Sequence, residues 1–524
     1  MIKNPVLTGF HPDPSMIYVD GVFYIATSTF EYFPGVKISA SKDLANWETV
    51  VYPLNEKRLL NMEGNPKSCG IWAPCLSYCD GLFYLVYTDV KYWTNPYKDA
   101  PNYITTAKDI TGPWSDPVYI NSIGFDPSLF HDDDGRKYFV VMEWDYRKGN
   151  STKGDSEQFS GIVLIELDPI SLKPISDPVK IFKGSERGFV EAPHIYKKDH
   201  YYYLFTAEGG TKYEHAETVA RSKNIYGEYE MHPNTHLICT EHAPDSPLRK
   251  TGHGSIARSG DGRWWFAFLC GRPIDDSMRC PLGRETAINE LIWENGWPYL
   301  KNKTTVPDES FEGYGKQNPK KPVRYDFGSK EFSADFMSVR SMPKYSIEKI
   351  EEKNVLRLWG GNSPYCNFGQ GLLVRRQDEF NFTAATSLKL YGKSFQQMAG
   401  LMYRYDEDTH YFLRVSHNKA EGKSSIGLLC SDSRKFSIPV EIEVPLIEDN
   451  IHFKLAVKRR QGIFSYSLDG SSYTEIPHKI DVSTLSDDYA NPLGFTGAFV
   501  GMCCVDMHDK TAWADFYSFE YLKN

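Results

Sequence analysis

The sequence has no long hydrophobic run and contains few cysteines. Its longest apolar stretches, LFYLVY (82–87) and WWFAFLC (264–270), have the length of strands, whereas a membrane-spanning helix needs roughly 18 to 20 apolar residues. Ten cysteines are scattered through 524 residues, too few for a disulfide-built scaffold. Cys75 and Cys79 are not followed by a second Cys/His pair at zinc-finger spacing. We therefore expect a soluble globular protein with reduced thiols, no metal bound by them and no membrane partner.

Dense positive charge and nucleotide-binding motifs are also absent. The formal net charge is −9 and no block is rich in Lys and Arg, so nucleic acid is not an expected partner. Neither GxGxxG nor GxxxxGK(S/T) occurs, and helical patterns are sparse. The first 15 residues include Pro5 and lack the roughly 7 to 15 apolar residues of a signal peptide. From this we expect a cytoplasmic protein.

Aromatic residues, at 14% of the chain, are abundant and are typical of strands. They recur in one unit that is found five times: DPSMIYVDGVFYIATST (13–29), APCLSYCDGLFYLVYTD (73–89), DPSLFHDDDGRKYFVVME (126–143), APHIYKKDHYYYLFTAEG (192–209) and HGSIARSGDGRWWFAFLCG (253–271). Each unit has a short strand, a tight polar turn that is usually Asp-Gly, and a strand rich in aromatic and β-branched residues. This pattern predicts a β-hairpin.

The spacing of the five units predicts the architecture. Their starts are 60, 53, 66 and 61 residues apart, which is room for four strands plus loops. Repeated four-stranded units predict an all-β fold with a five-bladed β-propeller over residues 1–310. A polar Lys-, Pro- and Gly-rich stretch at 301–323 is the best linker candidate. Strands of a different spacing follow, and they predict a β-sandwich over residues 324–524.

Three carboxylates share one register in this repeat. Because the first strand of each propeller blade lies innermost, we expect the residue that opens each unit to lie near one mouth of the central channel. Those residues are Asp13, Ala73, Asp126, Ala192 and His253, and Glu191 lies one residue before the fourth. A single Asp before Pro-Ser is usually a turn or cap residue. A role in a turn, however, does not predict that the three carboxylates share one position in the repeat. In contrast, we expect Asp132, Asp133 and Asp134 to form a solvated hairpin turn.

A pocket with several carboxylates and aromatic walls suits cleavage of a glycosidic bond. This reaction needs one carboxylic acid to protonate the leaving oxygen, and one carboxylate either to activate water or to attack. A further negative charge nearby raises the pKa of the acid and keeps it protonated near neutral pH. We therefore interpret the three carboxylates as a candidate glycosidase site.

With these residues, the sequence resembles the β-xylosidases of glycoside hydrolase family 43, which are five-bladed propellers with a carboxy-terminal β-sandwich. The motifs that carry the resemblance are NPVLTGFHPDPS, STFEYFPGV, IWAP, GFDPSLFHDDDG, EAPH, GHGS, PLGRET and FTGAFVG. The resemblance implies that Asp13 is the general base that activates water and Glu191 the general acid. Asp126 then raises the pKa of the acid and orients it. The family inverts the anomeric configuration, so base and acid should be about 6.5 to 9.5 Å apart.

The resemblance also implies a pocket wall. Phe30 and Trp72 would pack on the sugar rings, although a Trp such as Trp72, taken alone, is more often a core residue. Arg284 would hydrogen-bond sugar hydroxyls. Phe499 would reach from the sandwich across the pocket and close its far side. His253 resembles a channel histidine that in some relatives touches a divalent cation or a water network. We expect no required cofactor, with a calcium ion near His253 left open.

The leading functional hypothesis is exo-acting hydrolysis of β-1,4-xylooligosaccharides from the non-reducing end, which releases xylose. An α-L-arabinofuranosidase, or an enzyme with both activities, is the alternative. A retaining fructosidase would carry a WMNDPNG-like motif, which TGFHPDPS (8–15) lacks. A non-catalytic sugar-binding propeller would have no reason to keep the three carboxylates together. The outer faces of a sandwich support association, so we also expect a homo-oligomer, either a dimer or a tetramer.

Overall fold

The computed structural model describes residues 1–94, 96–148, 155–319 and 322–523. Two compact units divide the chain, one made of residues 1–272 and 284–318 and the other of 273–283 and 319–524. Of the predicted linker at 301–323, Lys320 and Lys321 lie outside the described residues. Among the described residues, helix is limited to Lys330–Asp335 and the short 3-10 turns Tyr146–Lys148, Asp155–Gln158, Asp275–Ser277, Lys419–Glu421 and Val482–Thr484. Within the ranges given above, no helix is long and apolar enough to cross a membrane.

The first unit contains five four-stranded antiparallel sheets, one for each repeat of the sequence. Blade 1 is Ser15–Val19, Val22–Thr27, Lys37–Ser41 and Glu48–Val51; blade 2 is Gly70–Cys79, Leu82–Val90, Asn102–Ala107 and Val118–Asn121; blade 3 is Ser128–His131, Lys137–Trp144, Phe159–Leu167 and Val179–Phe182; blade 4 is Glu191–Lys198, Tyr201–Glu208, Ala216–Ser222 and Glu230–Cys239; blade 5 is Arg249–Arg258, Trp264–Gly271, Arg284–Glu294 and Trp297–Leu300. A further two-residue strand, Tyr32–Phe33, lies in sequence between the second and third strands of blade 1. The five-bladed propeller is confirmed.

Asp-Gly turns form the hairpins as the repeat predicts. Asp20 and Gly21 have φ values of 49° and 84°, and Asp80 and Gly81 have values of 50° and 78°. Positive φ at both central residues is the requirement of a type I′ hairpin turn, whose twist matches that of its strands. The second strand of blade 3, Lys137–Trp144, is buried over its first six residues, because blades pack on both of its faces.

The amino-terminal segment closes the ring. First strands of successive blades lie against each other, and that of blade 5 contacts that of blade 1. Ile2–Lys3 pairs with Ser310–Phe311, and Leu7 forms a bridge to Thr286 in the third strand of blade 5. Because this closure leaves no open edge between the last blade and the first, the inner strands surround a central channel.

The turn of blade 3 differs from the expectation of three solvated aspartates. Asp132 is only 8% exposed. Its carboxylate accepts a hydrogen bond from the Tyr202 hydroxyl (2.8 Å) and lies 2.5 Å from Lys197 Nζ. The prediction was wrong for Asp132, because packing of blade 4 against blade 3 brings a cation and a hydroxyl to a turn that alone would face water.

The second unit is a β-sandwich. One sheet has the order Tyr345–Ile350, Lys353–Trp359, Trp513–Lys523, Asn381–Tyr391, Ile451–Lys458, Gln461–Ser467 and Thr474–Asp481, with Val323–Arg324 also paired to Trp513–Lys523. The other runs Lys435–Pro445, Lys423–Asp432, His410–Asn418, Gln397–Arg404, Phe499–Asp506, Leu372–Arg376 and Phe336–Val339. Alternate residues of Ile451–Lys458 are buried, as expected for a strand with one face on a core. That core includes Leu388, Phe453 and Leu401, which come from both sheets.

Candidate active site

The first residues of the five repeat units occupy equivalent positions in their blades, as the strand pairing shows. The residue two positions after each opening pairs with the middle of the second strand of its blade: Ser15 with Ala26, Cys75 with Val86, Ser128 with Val140, His194 with Phe205, and Ser255 with Ala267. In blades 2, 4 and 5 the pairing shifts just before this point. Such a β-bulge re-aims the side chains beside it.

Four of the five opening residues adopt a left-handed backbone. Asp13, Asp126, Ala192 and His253 have φ values of 55°, 56°, 52° and 48°. For residues other than glycine this conformation costs on the order of 1 kcal/mol or more, and it is often found at functional sites. The shared position that the repeat predicts is thus accompanied, at four of the five openings, by a shared backbone conformation that the sequence did not indicate.

Asp13 is held by two donors inside the protein. Arg284 Nη1 donates to Oδ1 at 3.1 Å and Ser28 Oγ donates to Oδ2 at 2.6 Å. The Asp13 and Arg284 side chains are both 4% exposed. Two such donors, one on each oxygen, fix the orientation of the carboxylate.

Glu191 and Asp126 lie in a different electrostatic environment. Burial, followed by the charge of Asp13, raises the pKa of Glu191 to about 8, while Arg284 and Lys98 act in the opposite direction. The pKa of Asp126 is raised well above its ordinary value by burial, and then by Glu191 and Asp13. Thus the charge that raises the pKa of Glu191 comes from Asp13, and the role implied for Asp126 stays a prediction.

Lys98 was not found by reading the sequence. It lies between the second and third strands of blade 2, and its Nζ is 4.2 Å from the centre of the Trp144 ring and 5.4 Å from that of Trp93. Nζ also donates to the Trp93 carbonyl at 2.7 Å. The site thus has a second cation besides Arg284, fixed by aromatic faces.

Aromatic rings form a continuous row beside the carboxylates. Phe30 and Trp72 lie 5.8 Å apart, Trp72 and Phe125 5.2 Å, and Phe125 and Phe159 5.8 Å. The backbone places the first two rings side by side: Phe30 and Ile71, the residue before Trp72, exchange two hydrogen bonds between blades 1 and 2. The Arg284 guanidinium is 5.3 Å from the centre of the Phe30 ring. Phe30, Trp72 and Arg284 are therefore neighbours, and their sugar contacts stay predictions.

His253 Nδ1 is 3.6 Å from Asp13 Oδ1. Burial lowers the pKa of His253 to about 4, with Asp13 raising it and Arg284 lowering it, so the imidazole is neutral at physiological pH. Calcium takes about six to eight oxygen ligands, and the described ranges hold no group of three or more His, Cys, Asp and Glu side chains that could bind a metal. The cation considered beside His253 stays a prediction.

Phe499 begins the strand Phe499–Asp506 of the sandwich and is fully buried. Within its own unit, its ring lies 5.8 Å from the Arg376 guanidinium. Its implied reach across the pocket stays a prediction.

Comparison with known proteins finds a family model for each of two long segments of the chain. Residues 2–298 match the model of glycosyl hydrolases family 43, and residues 324–522 match the beta xylosidase C-terminal Concanavalin A-like domain. A xylosidase/arabinosidase 43B of Humicola insolens is 43% identical over 533 residues, covering 99% of this chain and 97% of that protein. A beta-xylosidase of Bacillus subtilis is 41% identical over 541 residues, covering 99% of both.

A solved structure shows the same likeness over the whole length. The crystal structure of a xylan beta-1,4-xylosidase from Bacillus halodurans has a TM-score of 0.94 and 42% identity, and each chain is covered completely. Sequence, strand pairing and overall similarity agree on one assignment. The chain belongs to glycosyl hydrolase family 43.

Proposed function

We propose that this protein is an exo-acting β-xylosidase that releases xylose from the non-reducing end of β-1,4-xylooligosaccharides with inversion. The observation that carries the proposal is the contrast between two buried carboxyl groups. Asp13 accepts hydrogen bonds from Arg284 and Ser28, whereas the pKa of Glu191 is raised to about 8. A carboxylate held by donors and a second carboxyl group with a raised pKa, in one site, are what glycoside hydrolysis requires.

In the proposed reaction, Asp13 removes a proton from a water molecule as its oxygen attacks the anomeric carbon. Glu191 gives its proton to the glycosidic oxygen, and the bond from that oxygen to the anomeric carbon breaks. The released sugar carries the new hydroxyl on the opposite face, so a β-linked substrate gives α-xylose first. The aromatic row from Phe30 to Phe125 would pack against the apolar faces of the sugars.

The stereochemistry of the first product is the decisive experiment. Proton NMR during hydrolysis of xylobiose should show α-xylose before mutarotation; β-xylose as the first product would rule out inversion. Asp13→Asn should lower kcat by at least about three orders of magnitude while leaving the fold intact. Near-normal turnover by this variant would remove Asp13 from the mechanism.

Action on arabinofuranosides is the second candidate. It is favoured by one observation, that the Humicola insolens relative is named a xylosidase/arabinosidase. Measuring kcat/KM for aryl β-xyloside and aryl α-L-arabinofuranoside in parallel ranks the two activities. The primary proposal expects the xyloside to be preferred, and a reversed order would contradict it.

A further inference from the structure

The inner strand of blade 5 contains two residues with a left-handed backbone, one of which, His253, lies beside the proposed base. Lys250 and His253, both within Arg249–Arg258, have φ values of 55° and 48°. Between Gly252 and Ser255 the pairing with the next strand shifts by one residue. A bulge of this kind leaves backbone N–H groups without a partner in the sheet, and such groups need another acceptor when they are buried.

Two residues of blade 4, His215 and Glu217, form hydrogen bonds with the backbone of this strand. The Glu217 carboxyl group accepts the N–H of Gly254, the residue after His253, at 2.9 Å. His215 Nδ1 lies 3.0 Å from the Lys250 carbonyl oxygen, so that nitrogen carries the proton and donates. His215 is 1% exposed and Glu217 is fully buried. We call this pair the blade 4 clasp.

Burial favours the neutral form of both clasp side chains. Burial lowers the pKa of His215 to about 3 and raises that of Glu217 well above its ordinary value, with Glu208 adding to the rise. Their hydrogen bonds to the backbone therefore do not depend on an ionised group. An amide that keeps the same acceptor or donor should replace either side chain.

The clasp acts on the part of blade 5 that faces Asp13. His253 Nδ1 is 3.6 Å from Asp13 Oδ1, and Asp13 also influences the pKa of His215. On the other side of the bulge, a Cβ atom on Gly254 would overlap the Phe266 ring. Glu217 and Phe266 thus confine the bulge from two directions.

We infer that His215 and Glu217 are positioning residues, which hold the bulge at His253 and Gly254 and so keep the imidazole of His253 in place beside Asp13. This inference rests on the proposed function, since it concerns the same base. A displacement of about 1 Å at a reacting group can cost on the order of a hundredfold in rate. The clasp therefore contributes to turnover without contacting the substrate.

Two pairs of variants test the clasp. Glu217→Leu and His215→Phe remove the hydrogen bonds and keep the volume, and we expect kcat on aryl β-xyloside to fall at least tenfold with KM changed less than about threefold. Glu217→Gln and His215→Asn keep an acceptor or donor in place, and we expect kcat within about threefold of the parent enzyme. The fall in kcat should therefore depend on whether the hydrogen bond is kept, and not on the charge of the side chain.

His232→Gln is the matched control. His232 is also a buried histidine of blade 4, and its Nε2 is 3.0 Å from the Pro298 carbonyl oxygen on blade 5. We expect this variant to lower the melting temperature without changing kcat.

The inference is overturned if folded Glu217→Leu or His215→Phe turns over normally, or if the amide variants lose as much activity as these two. If the volume-matched variants do not fold, the amide pair still decides, because a tenfold loss in folded Glu217→Gln contradicts the inference. Inactivity of the parent enzyme on xylosides would instead refute the proposed function.

Discussion

Arg284 Nη1 and Asp13 Oδ1, which are 271 residues apart in the chain, form a hydrogen bond of 3.1 Å in a pair whose side chains are both 4% exposed. Removing one partner of a buried ion pair leaves an uncompensated charge and costs about 3 to 5 kcal/mol. The carboxylate is the proposed base, so the loss of its partner should affect turnover as well as stability.

We therefore predict that Arg284→Met lowers kcat/KM for aryl β-xyloside at least a hundredfold. Arg284→Lys should be intermediate, because lysine keeps the charge but loses the fixed planar donors. Arg263→Met is a control from the same blade, since Arg263 pairs with Glu290 at 3.0 and 2.6 Å away from the site. It should reduce the melting temperature only. Wild-type kinetics in Arg284→Met would contradict the assigned role of the pair.

The pH dependence of kcat/KM should report Glu191. The proposed acid must be protonated, and its pKa is raised to about 8, so activity should fall about tenfold per pH unit above roughly that value. Because the carboxyl groups interact, the limbs of the profile give macroscopic pKa values.

Lys98 should shift the basic limb. Its charge lowers the pKa of Glu191, so Lys98→Met should raise that pKa and move the limb to higher pH. Lys91→Met is a suitable control, since Lys91 is also on blade 2 but pairs with Asp89 at 2.6 Å. An unchanged limb in Lys98→Met would show that this cation does not act on the acid.

The repeat made the propeller and the shared register of its opening residues predictable. Asp20-Gly21 and Asp80-Gly81 encode their turns locally through positive φ, and the five hairpins carry their own strand patterns. Asp13, Asp126 and Glu191 could be placed together because equivalent positions of a closed repeat meet at one channel. Local pattern and global symmetry agreed at these residues.

Other parts of the site depend on packing between blades, which a single sequence does not encode in any local pattern. Lys98 is a lysine in an aromatic loop, and nothing in its neighbours along the chain indicates Glu191. His215 and Glu217 read as ordinary strand residues, although their partners are on blade 5. Similarly, the segment 273–283 lies between two strands of blade 5 in sequence but belongs to the second unit, where Pro281 accepts the Ala498 N–H at 2.8 Å.

Glu191 should also make stability depend on pH. Its pKa rises from an ordinary value of 4.5 to about 8 in the folded protein. Between these values the unfolded chain releases the proton and the folded chain keeps it, so the free energy of unfolding falls as pH rises, by at most roughly 1.4 kcal/mol per unit. Glu191→Gln removes this loss, and its melting temperature relative to the parent should be higher at pH 8 than at pH 4.5. A difference that does not change with pH would show that Glu191 is not held protonated.

Gly124, the first residue of GFDPS, should be intolerant of any side chain. A Cβ atom there would overlap the carbonyl oxygen of Met142, which belongs to a paired central strand of blade 3 and cannot move away. Gly124→Ala should therefore destabilise the protein by about 1 to 3 kcal/mol, and it should also lower kcat, because Asp126 follows two residues later. Gly135→Ala is the matched control: Gly135 has a φ of 86° with open space around it, so alanine should cost about 1 kcal/mol through the backbone and leave kcat unchanged. Melting curves and kinetics of both variants check this, and equal behaviour of the two would show that the contact with Met142 has no consequence for the position of Asp126.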